Sequence, residues 1–188
     1  MKVDCPICQQ PKCMDALTHT EKIPYFGEIM ESVLLCNSCG YRHTDVICLE
    51  QKDPVRYSLK VKKDRLSARV VKSQSATVSI PELGLKVEPG PKSLGYVSNI
   101  EGVLERFQGA VKTAMNLIDD EKSRKNGSLI MDNLKSVRSG EKSVEIIIED
   151  PFGQSFIAHP NVEKRELMPE EIKELKTGFA TFEQENIE

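Results

Sequence analysis

Histidine is scarce in this chain of 188 residues: His19, His43 and His159 are the only three. Only His159 falls beyond residue 50, so the later, strand-rich part cannot assemble the two-histidine, one-carboxylate iron site that many β-barrel enzymes use. Phosphate-binding glycine patterns are missing too. There is no GxxxxGK[ST] and no GxGxxG run, and Gly84, Gly90 and Gly95 stand singly as turn residues, which leaves nucleotide hydrolysis without a cradle. Glu149-Asp150-Pro151 pairs two carboxylates, but Asp before Pro with Gly153 following is turn chemistry. No active site is read, and the expectation is a protein that is not an enzyme.

Long apolar runs are absent as well. None approaches the ~20 residues of a membrane-spanning helix, and the N-terminus opens on a cysteine motif rather than an apolar signal region. A cytoplasmic protein with no membrane partner is expected. Positive charge is lacking where a zinc-bearing nucleic-acid reader would need it. Residues 1–50 carry 4 Lys/Arg against 7 Asp/Glu, residues 51–159 carry 18 against 14, and residues 160–188 carry 4 against 8. An acidic first segment repels a phosphate backbone. The balance argues against a nucleic-acid reader and towards a protein partner, with a zinc-ribbon nucleic-acid or ribosome-associated factor as the alternative; no small-molecule substrate is expected.

What the sequence does have is two CxxC pairs, Cys5-Pro-Ile-Cys8 and Cys36-Asn-Ser-Cys39, separated by 27 residues. Each pair puts two sulfurs on one turn of backbone, and two such turns face to face supply the four soft ligands of a tetrahedral zinc. With Cys5, Cys8, Cys36 and Cys39 all bound, no open position remains for water, so one structural Zn2+ is expected. Disulfides or a dithiol redox pair are the competing chemistries; the doubled spacing favours zinc, and a reducing compartment favours metal over disulfide. Cys13 and Cys48 are left over, each a small buried hydrophobe or a spare ligand. His43 offers a Cys3His site that two complete pairs make unnecessary. The long interval must hold an extended excursion, with Ile23-Pro24-Tyr25-Phe26 near its middle as a stiff apolar patch. That patch either packs inward or anchors a partner.

Beyond residue 50 the pattern is β. Val55–Val61 alternates apolar residues with Arg56, Ser58 and Lys60, the signature of a strand wet on one face, and short runs follow at 69–72, 76–80 and 85–87. At Ser98-Asn-Ile-Glu101 a capping box opens a helical stripe of Ile100, Val103, Leu104, Phe107, Val111, Ala114, Met115 and Ile118. A turn at Lys125-Asn-Gly127 leads to a second stripe, Leu129, Ile130, Leu134 and Val137. The β pattern returns at 144–148 and 154–158, so the helical hairpin, at about 98–139, interrupts one β domain. Pro169, Glu170 and Glu171 then open a last helix with Ile172 and Leu175 facing inward, followed by an acidic tail. The expected domains are 1–50, 51–168 with the hairpin insertion, and 169–188.

Seven runs in order carry a resemblance: Cys5-Pro-Ile-Cys8, Ile23-Pro-Tyr-Phe-Gly-Glu-Ile-Met30, Cys36-Asn-Ser-Cys39-Gly-Tyr41, Val70-Val-Lys-Ser73, Ile80-Pro-Glu-Leu83, Asn99-Ile-Glu-Gly-Val-Leu104 and Glu149-Asp-Pro-Phe-Gly153. Together they resemble the ZPR-type zinc-finger proteins over nearly the full length, in the single-module form found in archaea rather than the tandem eukaryotic form. The resemblance implies a mostly β fold: a four-cysteine zinc ribbon followed by a double-stranded β-helix, or jelly-roll-like, domain carrying a helical hairpin. It also implies binding of translation elongation factor 1-alpha, preferentially nucleotide-free, by a chaperone dedicated to that GTPase.

Overall fold

The structure is a computed structural model that describes residues 1–24, 27–50, 52–91, 93–117 and 119–178, with backbone alone for Ile47 and Cys48. The chain divides into two compact units, Met1–Gln51 and Lys52–Glu188. In the first, β1 (Lys2–Val3), β2 (Met14–Ile23), β3 (Gly27–Cys36) and β4 (Arg42–Cys48) form one antiparallel sheet in sequence order. The excursion between the cysteine pairs is therefore a long hairpin, with Met14 opposite Cys36 at its base and Ile23 opposite Gly27 at its far end. Its apolar core is small. Cys5, Met14 and Cys36 are buried, and Val3, Leu34 and Tyr41 pack partly covered against them.

The second unit begins with β5 (Val55–Val61), β6 (Arg69–Lys72), β7 (Thr77–Ile80), β8 (Leu85–Val87) and β9 (Tyr96–Asn99). The helices α1 (Ile100–Leu117) and α2 (Glu121–Ser139) follow, then β10 (Val144–Asp150), β11 (Phe156–Ala158), β12 (Glu163–Glu166) and α3 (Pro169–Glu174). Strands from both sides of the helical hairpin share sheets, in the orders β12-β5-β10-β7-β8 and β11-β6-β9. The register between β5 and β10 sets Tyr57 opposite Ile148, Leu59 opposite Ile146 and Val61 opposite Val144. These side chains meet Val70 and Ile80 from other strands, and Ile100, Leu104, Phe107, Leu134 and Val137 from the hairpin, in one core. Each fully buried aliphatic or aromatic side chain in this core contributes about 1.5–3 kcal/mol, so the unit has a substantial apolar core of its own. The domain is a jelly roll with a helical hairpin inserted, as the resemblance implied. Among the described residues no helix is long and apolar enough to cross a membrane.

Local details depart from the sequence expectations. The α1 cap is Asn99, whose Oδ1 accepts from the Gly102 N–H at 2.8 Å. Ser98 is committed to β9 opposite Val70, and Glu101 reaches Arg138 on α2 at 2.8 Å, so the expected capping box does not form. Lys125-Asn-Gly127 is not a turn but lies inside α2, which starts one turn earlier at an Asp120 cap bonded to the Ser123 N–H at 2.8 Å. Gly127 is tolerated in mid-helix because a Cβ there would sit 2.5 Å from Met115 Cγ on α1. Leu129 and Ala114, placed on the inner stripes by periodicity, are exposed, and Ile118 lies outside the described residues. On β5 only Lys60 is exposed; Ser58 is buried and Arg56 half-buried, because β5 is flanked by strands on both sides. Ile172 and Leu175 are half-buried. The tail from residue 179 lies outside the described residues.

Candidate metal centre

Both CxxC pairs sit on tight knuckles of the same design. The Gln9 N–H donates to the Cys5 carbonyl at 2.9 Å and the Gly40 N–H to the Cys36 carbonyl at 3.1 Å, each from the fourth residue after the leading cysteine. Each of those two residues turns left-handed, at φ 58° for Gln9 and 74° for Gly40. Glycine adopts this freely, whereas glutamine does so at a cost of about 1–2 kcal/mol. The knuckles bring Cys5, Cys8, Cys36 and Cys39 together with all four sulfurs within 4.8 Å of one another. The Cys5–Cys39 separation is 3.8 Å and the Cys8–Cys36 separation 3.7 Å. A tetrahedron of zinc–sulfur bonds of about 2.3 Å has edges of about 3.8 Å, so the spacing fits one zinc ion. It is far too long for disulfides, and all four of these thiols are free.

Two further contacts tune the site. The Cys39 backbone N–H points at Cys36 Sγ from 3.4 Å, and this hydrogen bond is the largest influence holding the Cys36 thiol down to about 6, towards the thiolate a metal needs. Cys13 is drawn in as well, 3.5 Å from Cys36 Sγ and 3.9 Å from Cys8 Sγ. Its thiol donates to the Gln10 carbonyl at 3.1 Å, and burial followed by its two sulfur neighbours pushes it up to about 12. Cys13 thus flanks one edge of the cluster, which sequence spacing could not show because it has no CxxC partner.

The remaining sequence candidates lie elsewhere. His43 is exposed on β4 opposite Leu34. Two His-x-acid pairs, His19-Thr20-Glu21 and His43-Thr44-Asp45, run along exposed stretches of β2 and β4. Among the described residues, the four cysteines are the one group of three or more metal-ligating side chains. Ile23 is half-buried and Pro24 exposed; Tyr25 and Phe26 lie outside the described residues, as does the side chain of Cys48. Asp150 is fully buried and accepts from the hydroxyls of Ser75 at 3.0 Å and Ser155 at 2.6 Å. The N–H groups of Phe152 and Gln154, each at 3.0 Å, complete its shell. Its oxygens tie the turn to the Ser75 segment, which fits a structural carboxylate rather than an acid–base pair.

A four-thiolate ribbon and a jelly roll with an inserted helical hairpin, carried on one chain, define a zinc-ribbon/jelly-roll protein. The ZPR1 jelly-roll domain family model matches residues 64–177. A ZPR1-like protein of Pyrococcus horikoshii is 44% identical over 179 residues, covering 93% of this chain and 80% of that protein. A ZPR1-like protein of Methanocaldococcus jannaschii is 36% identical over 183 residues, covering 97% and 92%. The chain belongs to the ZPR1 family. The zinc finger chaperone zpr1 of Schizosaccharomyces pombe is 31% identical over 160 residues, covering 81% of this chain but 34% of the longer fission yeast protein.

Proposed function

We propose that the chain is a cytoplasmic, zinc-dependent protein-interaction module that binds translation elongation factor 1-alpha, in its nucleotide-free or folding-intermediate form, as a chaperone or regulator. The observation that carries this is the match over 81% of the chain to a protein named a zinc finger chaperone. The elongation factor comes from the resemblance carried by the seven sequence runs. The donor set is consistent with it: four thiolates close the coordination sphere of a zinc held by Cys5, Cys8, Cys36 and Cys39, so the metal shapes a surface rather than activating water. Ile23, Pro24, Tyr25 and Phe26 are the proposed partner contacts on that module.

Binding would stabilise an incomplete state of the client and be released when GTP closes it, because only differential affinity for the two states moves the equilibrium. Immobilised protein is expected to capture elongation factor 1-alpha from extract, more strongly after guanine nucleotide is removed enzymatically. No retention under either condition would sink the proposal. Salt-sensitive retention of RNA in its place would favour the nucleic-acid alternative.

A further inference from the structure

The jelly-roll unit contains a cavity of about 570 Å³ beside α1, within the size range of small-ligand sites. Its lining combines apolar Val78, Val103 and Phe107 with Lys72, Arg106 and Tyr96. Lys72 is 4% exposed, although it is the last residue of an otherwise apolar strand segment, Val70-Val71. Its ammonium donates to the Ser73 carbonyl at 2.9 Å and reaches Ser93 Oγ at 3.5 Å. Two contacts, one of them long, for a group with three donors leave a strongly hydrated cation with little in place of its water. Arg106 stacks on the Tyr96 ring with its guanidinium carbon 4.1 Å from the centroid, and Lys72 Nζ lies 5.9 Å from the same centroid.

Two cations therefore lie against one aromatic ring, Tyr96, and among the described residues neither is within ion-pair distance of a carboxylate. Glu88, the acid on the rim, does not neutralise them, because Lys86 at 3.0 Å and Lys176 at 2.5 Å occupy its two oxygens. Asp150, the nearby buried acid, accepts from four donors, Ser75, Phe152, Gln154 and Ser155. Burial brings Lys72 down to about 8; the Asp150 carboxylate opposes this and Arg106 adds to it. A buried lysine kept at the end of an apolar pocket is costly unless an anion meets it.

We propose that this pocket binds a small carboxylic acid with an apolar body, its carboxylate held between Lys72 and Arg106 and its body against Val103 and Phe107. This site lies in the jelly-roll unit and does not depend on the elongation-factor proposal.

The test is an amide correlation NMR titration of the full-length protein with octanoate, with octan-1-ol as the uncharged probe and inorganic phosphate as the anion without a body. Octanoate is expected to give saturable shifts at Tyr96, Val103 and Phe107. Octanol and phosphate are each expected to bind about tenfold more weakly, and Arg106→Gln and Lys72→Met to weaken octanoate by about tenfold or more. Arg106 is exposed, so its variant keeps the test decisive even if Lys72→Met fails to fold. No saturable shift with octanoate would overturn the proposal, and so would equal binding of octanol or phosphate, or undiminished binding by Arg106→Gln.

Discussion

At the scale of single residues, the two knuckles make an internal comparison. Gly40 and Gln9 occupy equivalent positions with the same hand of backbone, yet only one of them is glycine. Exchanging the cost should be measurable from both sides. Gln9→Gly is expected to stabilise the ribbon by about 1 kcal/mol and Gly40→Gln to destabilise it by a similar amount. Midpoints of zinc release against a competing chelator report both, and a Gln9→Gly variant no better than the parent would show that the glutamine side chain compensates its backbone. The flanking thiol gives a second test. Cys13→Ser is expected to retain one zinc per chain, whereas Cys36→Ser loses it, as read by metal analysis after gel filtration. Zinc loss from Cys13→Ser would make Cys13 a ligand. The four cysteines were legible in the sequence because CxxC is a local spacing, and Cys13 was not because only the fold brings it to Cys36.

At the scale of elements, the strands that could be read were those whose side chains alternate or run apolar, such as Val55–Val61 and Val144–Asp150. β12 could not be, since Glu163-Lys-Arg-Glu166 has no apolar face and all four residues are exposed; what ties it to β5 is the backbone ladder, with the Lys164 ammonium 5.9 Å from the ring centroid of Tyr57 opposite it. Gly127 misled in the opposite sense, because a glycine between polar residues reads as a turn until the neighbouring helix is known to press against it. Gly127→Ala gains helix propensity of about 1 kcal/mol but must push Met115 aside. The gain is expected to emerge only in a Met115→Ala background, and equal effects of Gly127→Ala in both backgrounds would show that the two residues do not couple. The start of α3 supplies a pH test. Bidentate bonds from Arg165 at 2.5 and 2.7 Å, then the Met168 N–H at 2.8 Å, hold Glu171 down to about 2 from 4.5. A carboxyl whose folded value is depressed stabilises fully above its ordinary value and loses that contribution as pH falls through the folded one. Exchange protection at the Met168 amide is therefore expected to decline between about pH 4.5 and 2, and Glu171→Gln to show the low-pH behaviour throughout.

At the scale of the whole molecule, the two units rest on different physics. In the ribbon, two of the three buried cluster residues are themselves zinc-site cysteines. Burying Met14 there and Ile29 further along β3 contributes about 1.5–3 kcal/mol each, against about 10–16 kcal/mol available from a structural zinc. The metal dominates there, while the jelly-roll unit has a continuous core of its own. Chelation is expected to expose residues 1–51 to limited proteolysis while 52–178 remains resistant and keeps its thermal transition. Simultaneous loss of both would show that the jelly-roll unit depends on the ribbon.

The same charged strand that hid from the sequence has a consequence at this scale. A protein proposed to work beside unfinished chains is surrounded by segments seeking a sheet to extend, and the open side of β5 is a ladder of just that kind. Capping it with Glu163-Lys-Arg-Glu166 leaves outward a fringe of mixed charge, on which an incoming apolar segment would have to strand its own side chains in water. β12 thereby blunts this edge of the sheet against pairing with an exposed segment.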